Sequence, residues 1–244
     1  MSELTANIIL SPRLQAVADL VPQGAVLADI GTDHGYLPAS LLQQGRITRA
    51  IAGDYNRGPY LSACQLAAEQ GLEERMSVRL GNGLSVLQPG EADTVSICGM
   101  GGQLMLEILA AAPDVLTQVR RLILQPQRHN DRLRNWLAEH GWRIVEERLV
   151  EDNGHIFEII AAERGEMQLS RAEAEFGPLL LAANPPLLHK RLQEVLAQEE
   201  RVCAYLAQQG GEEAARRHAE LAERCDYLRQ LAAQLAMGAD ICKK

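Results

Sequence analysis

Short apolar or β-branched runs recur along the first half of the chain: AVLADI at 25–30, AIAGD at 50–54, MSVRL at 76–80, DTVSIC at 93–98 and RLILQ at 121–125. Each is short and bounded by polar or turn residues, and the stretches between them keep helical apolar spacing. The pattern predicts strands alternating with helices, and therefore a parallel sheet covered on both faces. A short helix is expected before the first strand, because Ser11 offers a capping hydroxyl and Pro12 a first-turn proline ahead of Arg13, Leu14, Gln15, Ala16 and Val17.

Downstream, DRLRNWLAEHG (131–141) predicts a helix that leads into two further strands, WRIVEERLV (142–150) and HIFEIIAAE (155–163). Only Glu151, Asp152, Asn153 and Gly154 separate them, so the two must be antiparallel neighbours turning at Asn-Gly. An α/β fold whose mostly parallel, Rossmann-like sheet ends in an antiparallel hairpin is the layout of class I methyltransferases. Beyond Gly165 strand signals cease, and the expected division is 1–165 for the sheet domain and 166–244 for a helical one. Asn184-Pro185-Pro186 starts a long helix and Gly210-Gly211 breaks it. Ala214, His218, Leu221, Cys225, Leu228, Ala232 and Leu235 then repeat at four-three spacing, as the seam of a coiled coil does. In the first arm Leu188, Leu192, Val195, Val202 and Leu206 keep the same register, with Glu199 interrupting it, so an antiparallel coiled-coil hairpin is expected.

Composition narrows the classes. Hydrophobic residues make up 47% and charged residues 23% of the 244, and no apolar run reaches the roughly 20 residues that span a bilayer. The amino terminus lacks a basic start followed by an apolar core, which points to a cytoplasmic protein. Five cysteines (Cys64, Cys98, Cys203, Cys225, Cys242) are scattered without C-x-x-C spacing, against both a disulfide framework and a metal site. A net charge of −8 works against binding nucleic acid. Within residues 1–165, however, every Lys or Arg position is Arg, the side chain suited to bidentate phosphate contact, although a GC-rich genome would produce the same bias.

Candidate chemistry falls at successive strand ends. Asp29 closes the first strand and Gly31-Thr32-Asp33-His34-Gly35-Tyr36 follows it. A dinucleotide fingerprint beginning at Gly31 would need glycine where Asp33 and Tyr36 stand, so a nicotinamide cofactor is disfavoured. The turn instead suits the ammonium and carboxylate of a methionine moiety. Asp54 ends the second strand, where a carboxylate accepts from both ribose hydroxyls. Gly81-Asn82-Gly83 follows the third, with Asn82 facing an adenine edge and Gly83 leaving room for the ring. Cys98-Gly99-Met100-Gly101-Gly102 ends the fourth, where glycines let backbone approach a ligand. After the fifth come Gln125, Gln127, Arg128, His129 and Asn130, with Arg132 and Arg134, a polar and basic cluster suited to phosphates as well as to plain solvation.

With these residues in place the chain resembles the TrmK family of bacterial tRNA (adenine-22, N1)-methyltransferases, through LSPRL (10–14), ADIGTDHGYLP (28–38), RLGNGLSVL (79–87), ICGMGG (97–102), LILQPQ (122–127) and RLRNWL (132–137). Asn82, Gln127 and Phe157 stand where Asp, Asn and Tyr are frequent in that family. The resemblance implies S-adenosyl-L-methionine as cofactor, tRNA as substrate, and no metal or membrane. It places cofactor contacts at Asp29, Gly31, Asp33, His34, Gly35, Asp54, Asn82, Gly83, Gly99 and Met100. Arg13, Asp33, Tyr36, Gly101 and Gln125 are the expected catalytic set: Asp33, the Gly99–Gly101 carbonyls or Gln125 accepting from the adenine N6 amino group, Tyr36 stacking on the base, and Arg13 holding a carboxylate or phosphate. Methylation of another RNA or a small molecule, and a catalytically idle partner-binding module, are the competing expectations.

Overall fold

The computed structural model describes residues 7–238; Cys242 and the amino-terminal residues 1–6 lie outside them. Ser11 caps α1 (Pro12–Ala18) as expected, its hydroxyl accepting from the Leu14 N–H at 3.3 Å. There follow β1 (Val26–Ile30), α2 (Tyr36–Gln43), β2 (Arg49–Asp54), α3 (Arg57–Glu69), β3 (Met76–Leu80), a 3-10 turn at Gly83–Val86, β4 (Thr94–Met100), α4 (Gly102–Ala110), α5 (Pro113–Leu116), β5 (Arg121–Pro126), α6 (Asn130–Glu139), β6 (Trp142–Asp152) and β7 (His155–Arg164). The seven strands form one sheet in the order β3-β2-β1-β4-β5-β7-β6. β1 to β5 run parallel, and β7 lies antiparallel between β5 and β6.

Burial on both faces explains the near-continuous apolar strands. One face packs Ile30, Val95, Ile97, Leu122 and Leu124 against Met105, Leu109, Leu133 and Leu137. The other packs Leu27, Ala50, Ala52, Ile123 and Ile159 with Val17, Leu41 and Leu42. The β6–β7 turn has Asn153 at φ +50° and Gly154 at φ +77°, the two left-handed residues a tight hairpin demands.

The chain parts into two compact units after Glu175. The linking segment beyond Gly165 still belongs to the first, because the buried Arg134 guanidinium donates to the carbonyls of Ala174 (3.1 Å) and Glu175 (3.3 Å). α7 (Arg171–Phe176) spans the division. The second unit holds α8 (Pro178–Ala183), α9 (Pro186–Leu206) and α10 (Glu212–Ala236). Leu188 and Leu192 of α9, and Cys225, Leu228, Leu231 and Leu235 of α10, are buried, and α9 packs along α10 as a hairpin. Asn184 caps α8 at φ +46° and donates its side-chain amide to the Leu235 carbonyl at 3.0 Å, closing the hairpin's base. Two details of the expected seam change. Val202 is about half exposed although it shares a cavity with Val195 and with Leu221 of the opposite arm, and Leu231 is buried more deeply than Ala232. Glu199 keeps its seam position because Arg224 of the opposite arm donates to it at 2.6 Å.

Candidate active site

The carboxyl ends of β1, β2, β3 and β4 open into one cavity of about 690 Å³, the edge at which open α/β sheets bind ligands. The loop after β1 turns tightly because Gly31, Asp33 and Gly35 all sit at left-handed φ (+73°, +56° and +74°). The Gly31 and Thr32 N–H groups both donate to the Gly53 carbonyl, at 2.8 and 3.0 Å. A Cβ at Gly31 would lie 2.2 Å from Met100 Cε, so any side chain there would displace the Met100 methyl group besides straining a backbone at φ +73°.

Asp29 braces this loop from within. It is buried, its Oδ1 accepting from Ser96 Oγ (2.6 Å) and its Oδ2 from Thr32 Oγ1 (2.7 Å). Burial raises its pKa above the ordinary carboxylate value, against the lowering effect of those two hydroxyls. Asp54, also buried, accepts the Asp33 N–H on Oδ2 (3.1 Å) and the Asn56 N–H on Oδ1 (2.8 Å). Each Asp54 oxygen is thus aimed by one backbone donor and keeps a second lone pair for a ligand.

At the rim, Asp33 and His34 are exposed and 3.6 Å apart, and the His34 ring stacks on Tyr36 with centroids 5.5 Å apart. Across the cavity, Gly83 (φ +54°) leaves space that a Cβ would close against Ile108 at 3.0 Å. The turn is tied down by Arg79, which donates to the Val86 carbonyl and to both oxygens of Glu91. β4 ends in an irregularity: the ladder shifts register between Cys98 and Met100, and Gly99 takes φ +74°. Burial pushes the Cys98 thiol up, so it stays protonated and unreactive.

Of the expected residues, Arg13, Asp29, Gly31, Asp33, His34, Tyr36, Asp54, Asn82, Gly83, Gly99 and Met100 line the cavity. Gly35, Gly101 and Gln125 do not. Gly35 caps α2, where a Cβ would press on Met76 Cε (2.7 Å) and Ala63 Cβ (3.2 Å). Gly101 caps α4, and its carbonyl already accepts the Met105 N–H, as that of Met100 accepts the Gln127 N–H. Gln125 is fully buried and its Oε1 already accepts two hydrogen bonds, which removes it as an acceptor for a substrate amino group. Arg134 is corrected too. It is fully buried beside Glu147 and Glu158, out of reach of a surface phosphate, whereas Arg128 and Arg132 are exposed.

Sequence reasoning missed Tyr55, Asn56, Leu104 and Ile108, all of which line the cavity. Tyr55 and Asn56 follow Asp54 directly, and Leu104 and Ile108 share one face of α4 at i, i+4 spacing; that adjacency and spacing were the available signals.

Comparison with known proteins matches the family model described as tRNA (adenine(22)-N(1))-methyltransferase, TrmK, over residues 27–230. The chain belongs to the TrmK family. A Bacillus subtilis (strain 168) tRNA (adenine(22)-N(1))-methyltransferase is 37% identical over 91% of this chain and 96% of its own length. The crystal structure of the B. subtilis TrmK superposes with a TM-score of 0.86 at 37% identity, covering 92% of this chain and 99% of that one. An M. capricolum TrmK structure solved with S-adenosyl-homocysteine gives a TM-score of 0.82 at 28% identity, covering 93% of this chain and 99% of that one. The TrmK match begins within β1 and runs into α10, so it takes in the cavity loops and both arms of the hairpin.

Proposed function

We propose that this chain transfers a methyl group from S-adenosyl-L-methionine to N1 of adenine 22 in tRNA, in the cytoplasm. The observation that carries the reading is Asp54. Its two oxygens are each fixed by a backbone N–H at the end of β2, between the Gly31–Gly35 loop and the Asn82–Gly83 turn. That arrangement fits a nucleoside joined to a methionine: ribose diol at Asp54, adenine against Gly83 and Ile108, and the amino-acid end toward Gly31 and the β4 end.

S-adenosyl-L-methionine, when bound, supplies an electrophilic methyl group on a sulfonium. Adenine N1 carries its own lone pair, so the chain needs alignment and exclusion of water more than a strong base. As N1 gains positive charge the N6 amino group becomes a stronger donor. To Asp33, exposed at the rim, and to the Gly99 carbonyl we assign its acceptance. Tyr36, backed by His34, offers a ring face on which an extruded base can stack. Arg13, Arg128 and Arg132 supply positive charge for backbone phosphates.

The test is incubation with radiolabelled cofactor and unmodified tRNA, followed by nucleoside analysis. Label recovered as 1-methyladenosine is expected. In Asp54→Ala the cofactor Kd should rise by about tenfold or more, the loss expected when a buried group made for a hydroxyl goes unmatched. Cofactor binding by calorimetry without labelled RNA would retain the cofactor and refute the substrate.

A further inference from the structure

The irregular end of β4 brings one backbone donor onto a side chain of the neighbouring strand. Where the register shifts between Cys98 and Met100, the Gly99 N–H donates to Gln125 Oε1 at 3.1 Å. The same oxygen accepts Arg13 Nη1 at 2.8 Å. The Gln125 amide is wholly buried on β5, and its Nε2 donates to the adjoining Pro126 carbonyl at 3.2 Å. Two donors converge on one atom, which settles the amide's orientation: turned over, its NH2 would face a guanidinium and an N–H. Arg13 therefore lies across Gly99, its Nη1 3.4 Å from where a Cβ would stand. Its guanidinium also sits 5.2 Å from the centre of the Phe157 ring, and its backbone N–H reaches Asp152 Oδ2 at 3.4 Å.

We infer that Gln125 is a positioning residue: a single buried oxygen, out of reach of any ligand, that sets the spacing between the Arg13 guanidinium and the Gly99–Met100 backbone on the cavity wall. This rests on the proposed methyl transfer. Arg13 and Gly99 both line the cavity while their common anchor does not. Without Oε1 the Gly99 N–H would lose this acceptor at a half-buried strand end and the Arg13 side chain would be free to swing toward solvent. The consequence falls more on alignment than on holding the cofactor: the β4 end meets only its amino-acid end, while the ribose and adenine contacts proposed at Asp54 and Gly83 are anchored by other elements.

The test compares Gln125→Glu, which keeps an acceptor for both donors, with Gln125→Leu, which keeps none, and adds Arg13→Met to isolate the guanidinium. Gln125→Leu should lower kcat for tRNA methylation by about 10- to 100-fold, the scale of an ångström-sized misplacement, while cofactor Kd changes less than about threefold. Gln125→Glu should recover most of kcat. The double variant Gln125→Leu with Arg13→Met should lose little more than the worse single variant, because both break one unit. Equal losses in the Glu and Leu variants, or a loss confined to cofactor affinity, would overturn the inference. Amide exchange at Gly99, followed by NMR, reads the anchor without any turnover: it should accelerate in Gln125→Leu and stay slow in Gln125→Glu, and unchanged exchange in the Leu variant also overturns it. A wild-type chain that binds cofactor but leaves tRNA unmethylated would count against the methyl-transfer reading alone, and Gly99 exchange would still decide the anchor.

Discussion

Arg134 shows how a single side chain can mislead a linear reading. Set among Arg128, Arg132 and polar neighbours it reads as part of a phosphate-facing cluster. On α6, however, it adjoins Leu133 on the face that also carries Leu137, and all three are buried. Its Nε donates to Glu147 at 2.8 Å and its guanidinium pairs with Glu158, which in turn accepts from Asn130 Nδ2 at 2.9 Å. The loop holding Gln127 is thereby moored to β6 and β7. Burial lowers the Arg134 pKa, opposed by Glu147, and the guanidinium stays charged. Removing one member of a buried ion pair strands the charges that remain, so Arg134→Met should cost about 3–5 kcal/mol, whereas replacing Arg134, Glu147 and Glu158 together with apolar residues should cost far less. Urea titrations of the two variants check this, and a single variant as stable as the parent would refute it.

Among the elements, the strands were legible because each combines a short apolar run with a turn residue at its end, and the Asn153-Gly154 hairpin because two left-handed positions in a row admit few other dipeptides. What stayed hidden are contacts between residues distant in sequence. Nothing near Asp29 announces Ser96, and nothing near Gln125 announces Arg13, since such pairs exist only once the sheet has ordered its strands. Local spacing also overstated the burial of the hairpin seam near its tip, where Val202 is left about half exposed. The turn after β3 offers an element-level prediction. Glu91 is held at a pKa of about 2, below its ordinary 4.5, chiefly by Arg79 and then by the Gln88 N–H. A carboxylate depressed in the folded state adds stability that is present above pH 4.5 and is lost as the pH falls toward 2. Glu91→Gln should therefore melt below the parent at neutral pH, with the gap closing across that acid window; a pH-independent gap would assign the effect to packing instead.

At the scale of the whole molecule, charge is divided unevenly. Residues 1–175 carry 23 Asp and Glu against 15 Arg, while residues 176–244 carry nine acidic and nine basic residues. The entire net charge of −8 thus belongs to the catalytic unit, and the helical unit is the half that a polyanion can approach without net repulsion. A chain ended after Glu175 should keep its cofactor affinity, raise KM for tRNA by about tenfold or more, and lose part of the salt dependence of that KM, by about one unit of log–log slope per phosphate contact removed. Steady-state kinetics at two ionic strengths measure both; an unchanged KM would make the hairpin an internal stabiliser only. The strained β1 loop has a different kind of consequence. Its three left-handed residues, the Asp54 bridge to Asp33 and the Met100 contact at Gly31 exist only in the folded chain, so a nucleoside bound there favours the native state over the unfolded one. At a free concentration a hundred times Kd, that preference amounts to about 2.7 kcal/mol. The lifetime of the protein against unfolding and proteolysis would then rise and fall with the supply of methyl donor, so that starvation for the cofactor depletes the enzyme as well as idling it.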